Sequence, residues 1–355
     1  MMKLHNHSLI PSLDGLRAVS ILIVFCAHAG VSTLLPGGFG VTVFFFLSGF
    51  LITTLFYREV ERYGRIDMQA FYLRRLLRLS PPLLVTLTIT YVLVALGIFV
   101  GRIDGLAITS QVFYFYNYYS AYVPHATEGA YGLNVLWSLA VEEHFYLIFP
   151  WLFLLLLRDR LQLTHLWLIL GTILIWRVIK LIVLGDTPFN IYSITDTRFD
   201  SILYGSVLAI MNARGLSARI FPDAPAYRNG LLLASAAVLA FCFVWRDPIF
   251  RETLRYTLQG IALMPVFYYA VARPDLLVFR PLNWAPLQLL GFYSYTIYLA
   301  HTVVLGNLAQ VYPNSGTIGF ALLAGTICLL YAIALNRFIE QPFRRLRRRL
   351  EPAGT

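Results

Sequence analysis

Long apolar stretches recur along the whole of this 355-residue chain, and they constrain its fold more than any other feature. A window of about 20 apolar residues is long enough to cross the hydrocarbon core of a bilayer as a helix. The composition agrees, because 58% of the residues are hydrophobic and only 13% are charged. We therefore predict an all-α, polytopic membrane protein with a single integral-membrane domain over residues 1–355. Such windows place ten spans, near residues 15–34, 38–56, 80–100, 136–157, 165–184, 200–213, 229–245, 254–272, 286–307 and 317–339.

Arginine is distributed unevenly between the predicted loops, and this predicts the orientation of the chain. Loop 57–79 and the C-terminal tail each hold six arginines, whereas loop 185–199 is acidic or neutral and loop 308–316 has no charge. Cytoplasmic loops accumulate Lys and Arg, so both basic segments and both termini are expected in the cytoplasm. Ten spans, an even number, place both termini on the same side of the membrane, whereas eleven spans would place them on opposite sides. The tyrosine-rich segment 106–123 is therefore assigned to the outer interface rather than to a span.

The net charge of +10 follows from these basic loops, which are expected to contact anionic lipid rather than nucleic acid. The start of the chain resembles a secretory signal peptide, with small residues around His28. However, Asp14 and nine further spans favour an uncleaved first helix. The cysteines predict neither a disulfide framework nor a metal site, because each lies alone in an apolar run: Cys26, Cys242 and Cys328.

Ionisable residues occur inside three of the predicted spans. His28 lies in AVSILIVFCAHAG, His301 in YSYTIYLAHTVV, and the adjacent Glu142 and Glu143 in LWSLAVEEHFYLIFPWLFLLLL. An ionisable group in hydrocarbon costs from about 2.5 kcal/mol to well over 10 kcal/mol. Their presence in separate spans predicts an interior polar site.

The first span places an arginine and a histidine in register. Arg17 and His28 are eleven residues apart, close to three helical turns, so they share a face about 16 Å apart along the axis. Asp14 lies three residues before Arg17 and can pair with it. Alternatively, Arg17 is a surface anchor and His28 a satisfied core residue.

Arg75 and Arg78 lie three residues apart in RRLLRLSPP, on one helical face at the cytoplasmic surface, just before two prolines that bend or restart the helix. Paired guanidinium groups suit phosphate recognition, although a generic basic loop has the same composition. In the second span, Ser48-Gly49 permits another helix to approach closely.

Further polar residues accompany the ionisable ones. Ser138 lies four residues before Glu142 on the same helical face, and Tyr298 lies three residues before His301. The outer end of the sixth span carries a charged triplet that an outer salt bridge explains as well as catalysis does: Asp196, Arg198 and Asp200.

The alternation of helix direction brings these groups to two depths. Arg17, Arg75 and Arg78 lie at a basic cytoplasmic mouth, and the acids and histidines lie about 15–20 Å deeper. This arrangement suits a donor that has phosphates inside and a reactive end within the membrane, while an acceptor enters from outside.

In these motifs the chain resembles the membrane acyltransferase 3 family. The resemblance is carried by seven elements in the family order: LDGLRAVSILIVFCAH, FGVTVFFFLSGFLIT, RRLLRLSPP, LWSLAVEEHFYLIFPWL, TRFDSILYGSVLA, YSYTIYLAH and FIEQPFRR. It implies acyl transfer from cytoplasmic acyl-CoA to a hydroxyl, with functional positions at Arg17, His28, Arg75 and Arg78. One departure is His144, where the family usually has Gln. No serine-hydrolase-type domain follows the spans, so relay to a fused periplasmic transferase is not expected.

The sequence therefore predicts an O-acyltransferase of the bacterial cytoplasmic membrane, with acyl-CoA, expected to be acetyl-CoA, as donor substrate and no metal. Its acceptor would be a hydroxyl of a cell-surface glycan, a lipid-linked saccharide or a similar molecule. His28 is the expected base, oriented or charge-stabilised by Glu142. His301 is the rival base, and an acyl-His28 intermediate is an alternative mechanism. Two alternatives are a secondary transporter, in which the same acids and histidines bind substrate or relay protons, and a catalytically inactive relative.

Overall fold

A computed structural model of the protein describes residues 11–31, 36–124, 129–312 and 317–348. These residues form helices joined by turns and short loops, and the described ranges contain no strand. The all-α prediction is confirmed for them. The helices are α1 Pro11–His28, α2 Gly37–Tyr63, α3 Met68–Ala95, α4 Gly105–Val112, α5 Tyr116–Tyr122, α6 Trp137–Leu157, α7 Leu163–Val178, α8 Pro188–Ser193, α9 Thr195–Ala213, α10 Ser217–Ile220, α11 Pro225–Val244, α12 Pro248–Glu252, α13 Leu254–Ala272, α14 Ala285–Val311, α15 Ile318–Leu335 and α16 Gln341–Arg348.

The ten predicted spans coincide with ten of these helices, namely α1, α2, α3, α6, α7, α9, α11, α13, α14 and α15. Within the described ranges, seven helical segments are long and apolar enough to cross a membrane. The three helices outside that set are α1, α9 and α13, and the ten-span count and the orientation stay predictions. Residues 32–34 of the first predicted span and Arg349 of the basic tail lie outside the described residues.

The basic loop predicted over 57–79 is mostly helical. α2 extends to Tyr63 and α3 begins at Met68, capped by the Asp67 carboxylate, which accepts a hydrogen bond from the Ala70 N–H. α3 continues through Pro81 and Pro82, so these prolines do not restart the helix. Charge and hydropathy located the apolar core of each span, but helices whose ends are amphipathic extend beyond that core.

The tyrosine-rich segment forms two short helices, α4 and α5, rather than one long one. Tyr91 of α3 donates a hydrogen bond to Gln111 of α4 at 2.9 Å, and the Tyr114 hydroxyl after α4 lies 3.2 Å from that of Ser80. The segment thus runs back alongside α3 from residue 91 towards residue 80. At its start, hydrogen bonds from the Tyr119 hydroxyl and the backbone lower the pKa of Asp104.

The backbone contacts group the chain into two compact units. The first unit comprises Met1–Ser20, Gly38–Gly64 and Val141–Gly291. Its centre is α9, in which every residue from Thr197 to Met211 is buried. The helices α7 and α13 pack against α9, and α2 crosses α9 so closely that backbone meets backbone at Gly49 and Gly205.

The second unit comprises Ile21–Gly37, Arg65–Ala140 and Phe292–Thr355. Two hydrogen bonds fix α14 within it. The Tyr295 hydroxyl donates to the Leu79 carbonyl of α3 at 2.8 Å, and the Thr302 hydroxyl donates to the Gly132 carbonyl at 2.5 Å. Gly132 has a φ of 86° and lies so close to the Thr302 backbone that a Cβ would overlap it. The position of α14 matters because this helix carries His301.

Candidate active site

His28 and His301, the histidine pair, lie in contact within the second unit. Nε2 of His301 is 3.2 Å from Nδ1 of His28, and the ring centroids are 5.1 Å apart. His28 is the last residue of α1 and is exposed, whereas His301 lies inside α14 with 0% of its surface exposed. Two histidines that the sequence predicts from separate spans therefore form one group.

Backbone carbonyl groups hold both rings. Nδ1 of His301 lies 2.7 Å from the carbonyl oxygen of Tyr298, one turn earlier in α14. Nδ1 of His28 lies 3.0 Å from the carbonyl oxygen of Val24, one turn earlier in α1. Each imidazole is thus anchored to its own helix in addition to contacting the other.

Ser138 and Tyr298 hold the start of α6 against α14 in the same unit. The Ser138 hydroxyl lies 2.6 Å from the Tyr298 hydroxyl, and both lie 3.1 Å from the carbonyl oxygen of Val135. Both side chains are buried. Their role is to fix the turn of α14 that carries the Tyr298 carbonyl contacted by His301.

Glu142 lies in the first unit with two hydroxyl donors. Its Oε1 accepts hydrogen bonds from the hydroxyls of Ser48 and Tyr146. Tyr146 follows one helical turn later in α6, whereas Ser48 comes from α2, where the Ser48-Gly49 pair also permits close helix packing. The carboxylate is therefore fixed in place by two neutral donors.

The two residues that follow Glu142 are Glu143 and His144. Glu143 is half-buried. His144, the departure from the family pattern, has its Nδ1 2.6 Å from the hydroxyl of Thr195 at the start of α9. His144 therefore helps to join α6 to α9 inside the first unit.

The charged triplet of α9 contacts three different sets of residues. Asp200 forms an ion pair with Arg177 at 2.8 Å, with both side chains 0% exposed. The Arg198 guanidinium lies 4.0 Å from the centroid of the Tyr256 ring. Asp196 accepts a hydrogen bond from the Trp176 indole at 2.6 Å. The salt-bridge interpretation therefore fits two members of the triplet: Asp200 pairs with Arg177, and the Asp196 carboxylate lies 3.4 Å from the Lys180 ammonium. Neither cation is part of the predicted triplet.

The three predicted donor-binding arginines divide between the units. In the first unit Arg17 pairs with Asp14 at 2.5 Å, as their spacing predicts. In the second unit, Arg75 of α3 is half-buried and Arg78 is exposed. The backbone of the following residue, Leu79, accepts the hydrogen bond from Tyr295 of α14, the helix that carries His301.

In the residues that the structure describes, the second unit holds the contacting histidine pair, and the first unit holds a carboxylate fixed by two hydroxyl donors. Imidazole and carboxylate are side-chain types that enzymes use for general-base catalysis and charge stabilisation. The comparison with known families agrees. Residues 10–337 match the acyltransferase domain family that the sequence motifs indicate, and the chain belongs to this acyltransferase family.

Two curated relatives are similar over nearly the whole chain. The peptidoglycan O-acetyltransferase OatA of Listeria monocytogenes is 30% identical over 96% of this chain and 57% of the relative. The O-acetyltransferase OatA of Staphylococcus aureus is 32% identical over 97% of this chain and 58% of the relative. The chain thus spans a little over half the length of these relatives. No solved structure matches it significantly.

Proposed function

We propose that the protein is an integral-membrane O-acetyltransferase that acetylates a hydroxyl of a cell-wall glycan such as peptidoglycan. The observation that carries this proposal is the histidine pair, in which an exposed imidazole is held against a buried one within an acyltransferase family. The names of the relatives support the glycan acceptor. The protein would act in the bacterial cytoplasmic membrane, with cytoplasmic acyl-CoA as donor.

The proposed reaction is direct transfer between thioester and alcohol. His28 removes the proton of the acceptor hydroxyl while the oxygen attacks the thioester carbonyl, forming a C–O bond. The tetrahedral oxyanion collapses, the C–S bond breaks, and the proton held by His28 passes to the departing CoA sulfur. The reaction needs no oxidant or reductant and no reactant besides the thioester and the alcohol. Transfer through an acyl group on His28 is the alternative route to the same products.

Arg75 and Arg78 are the proposed phosphate contacts for the donor. Arg78 is exposed and Arg75 half-buried on one face of α3. A guanidinium presents a planar pair of N–H donors that matches two oxygens of a phosphate. Arg17, with its guanidinium on Asp14, keeps the donor-binding role predicted from the sequence.

For Glu142 we propose the supporting role predicted from the sequence, in which its carboxylate stabilises positive charge that develops during the reaction. Its fixed position, with hydrogen bonds from Ser48 and Tyr146, suits an electrostatic role rather than proton transfer. We expect Glu142→Gln to lower kcat without abolishing transfer, because the amide keeps the shape and loses the charge. Complete loss of turnover in a folded Glu142→Gln protein would contradict this role.

The decisive experiment follows acetyl transfer in proteoliposomes. Purified protein is supplied with radiolabelled acetyl-CoA and peptidoglycan fragments, and acetylated glycan is quantified by mass spectrometry. Wild-type protein should transfer, and His28→Ala should reduce transfer to background. His165→Ala is the matched control, because His165 is exposed in the first turn of α7. Absence of transfer by wild-type protein, together with net uptake of a labelled solute, would replace this proposal with the transporter alternative.

The donor contacts are tested separately by CoA binding. Arg78→Ala should weaken acetyl-CoA affinity by about tenfold, the effect of losing one charge-assisted hydrogen-bond pair. Arg78→Lys should recover only part of it, because lysine lacks the bidentate fork. Arg219→Ala, at an exposed arginine of α10, serves as the control. Unchanged CoA affinity in alanine variants of all three arginines would remove this assignment.

A further inference from the structure

We propose that His301 is a positioning residue, which fixes the tautomer of His28 so that Nε2 of His28 is the basic nitrogen. The proposal rests on the proposed acyl transfer and identifies the atom that performs it. It also assigns different roles to two histidines that the sequence leaves as equal candidates. The hydrogen-bond geometry of the pair carries the argument in three steps.

The first step fixes the proton of His301. Its Nδ1 lies 2.7 Å from the Tyr298 carbonyl oxygen, and a carbonyl oxygen can only accept. Nδ1 of His301 therefore carries a hydrogen. The ring is 0% exposed, and a second proton would create an imidazolium in a fully buried position, which is strongly unfavourable. Nε2 of His301 is consequently a lone-pair acceptor.

The second step fixes the proton of His28. Its Nδ1 faces two acceptors, the Val24 carbonyl oxygen at 3.0 Å and Nε2 of His301 at 3.2 Å. A lone pair at that nitrogen would oppose both, so Nδ1 of His28 carries a hydrogen that it shares between them. The neutral ring then has its lone pair on Nε2. One acceptor comes from the helix of His28 itself, and His301 adds the other.

The third step concerns access to the substrate. His28 is exposed, whereas His301 is fully buried and its only lone pair is already directed at His28. Only Nε2 of His28 can meet a hydroxyl or a thioester. His301 cannot act as a base without losing its contact with His28.

This arrangement also supports the protonated state of the reaction. When Nε2 of His28 takes the hydroxyl proton, the Nδ1–H bond to His301 becomes charge-assisted and therefore stronger. His301 thus resembles the orienting carboxylate of a catalytic triad, but with a neutral imidazole in that position. The Tyr298 carbonyl that anchors it is held by the contact between the Tyr298 and Ser138 side chains.

Two substitutions of His301 separate positioning from packing. His301→Gln keeps an amide oxygen for the His28 N–H and an amide N–H for the Tyr298 carbonyl, whereas His301→Leu fills similar space without either bond. Acetyl transfer by each variant is measured in proteoliposomes as kcat and as KM for acetyl-CoA. We expect the Leu variant to lose about 100-fold in kcat with little change in KM, and the Gln variant to lose about tenfold at most.

A double-mutant cycle with His28 completes the test. If His301 acts only through His28, His301→Leu should cause no further loss in the His28→Ala background. His165→Leu is the control for replacing a histidine, and thermal unfolding checks that each variant is folded. If His301→Leu does not fold, the Gln variant and its combination with His28→Ala still test the inference.

The outcomes distinguish this inference from the proposed function. A wild-type protein without transferase activity would overturn both. An active wild type with an active His28→Ala variant would remove the role of His28, and the positioning role with it. An inactive His28→Ala variant beside His301→Leu with near-normal kcat would overturn the positioning role alone. Equal losses in the Leu and Gln variants would assign His301 to packing.

Discussion

At the scale of single residues, the first unit contains a fully buried ion pair between Arg177 and Asp200. Both side chains are fully buried and their charged atoms lie 2.8 Å apart. The Arg177 guanidinium also donates to the Thr257 hydroxyl at 2.8 Å. Removing one partner leaves an uncompensated buried charge, which typically costs about 3–5 kcal/mol.

We therefore expect Arg177→Met to destabilise the first unit by about 3–5 kcal/mol, because Asp200 would stay buried without its partner. Unfolding in detergent, followed by circular dichroism, measures the change. The exposed Arg219→Met is the control and should have little effect. The double variant Arg177→Met with Asp200→Leu should recover much of the loss, and a double variant as unstable as the single one would show that the pair is not the cause.

The residues of the site were partly predictable. An ionisable side chain in an apolar window stands out because of its energetic cost, and that signal identified His28, His301 and Glu142. Their neighbours were not predictable, because the contact between the histidines joins positions 273 residues apart. Ser48 and Arg177 were missed as partners for another reason. A serine beside glycine is typical of close helix packing, and an arginine near the end of a span is typical of a surface anchor.

At the scale of secondary-structure elements, the crossing of α2 and α9 depends on two glycines. A Cβ at Gly49 would overlap the carbonyl oxygen of Ile202, and a Cβ at Gly205 would overlap that of Phe46. The Ser206 hydroxyl also donates to the Gly49 carbonyl at 3.1 Å. These backbone contacts allow α2 to reach the buried centre of the unit.

Gly49→Ala and Gly205→Ala should each lower the free energy of unfolding by about 1–3 kcal/mol, since backbone atoms must move to admit the methyl group. The matched control is Gly171→Ala in α7, where a Cβ meets nothing within 4 Å. That change should be neutral or slightly stabilising, because alanine favours a helix over glycine. Equal unfolding midpoints for Gly49→Ala and Gly171→Ala would contradict the close crossing.

The sequence predicted the apolar helices better than the polar ones. The predicted sixth span began at residue 200, but α9 begins at Thr195, because the charged residues of its first turns lower the local hydropathy. Asp200 is satisfied there by its buried ion pair with Arg177, and the partly exposed Asp196 by the Trp176 indole and Lys180. The division of segment 106–123 into α4 and α5 depends on contacts with α3 that no local pattern encodes.

At the scale of the whole molecule, the number of spans determines on which side each terminus lies. Seven helical segments of the described residues have the length and hydropathy to cross a membrane. If these alone crossed, the two termini would lie on opposite sides. If α1, α9 and α13 also cross, there are ten spans and both termini lie on the arginine-rich, cytoplasmic side.

We predict that α9 and α13 both cross the membrane, because polar residues can cross when they face protein rather than lipid. The prediction is tested with single cysteines on either side of each helix, in a background from which the native cysteines have been removed. Pro188→Cys and Trp245→Cys should react with an impermeant maleimide in intact cells, whereas Arg214→Cys and Leu277→Cys should react only after permeabilisation. All four positions are exposed on the protein surface, so burial within the protein does not explain a failure to react.

Labelling of Pro188→Cys and Arg214→Cys from the same side would show that α9 does not cross. The same result for Trp245→Cys and Leu277→Cys would exclude α13 as a span. A C-terminal reporter provides the independent check: it should be active only in the cytoplasm, and periplasmic activity would refute the ten-span orientation.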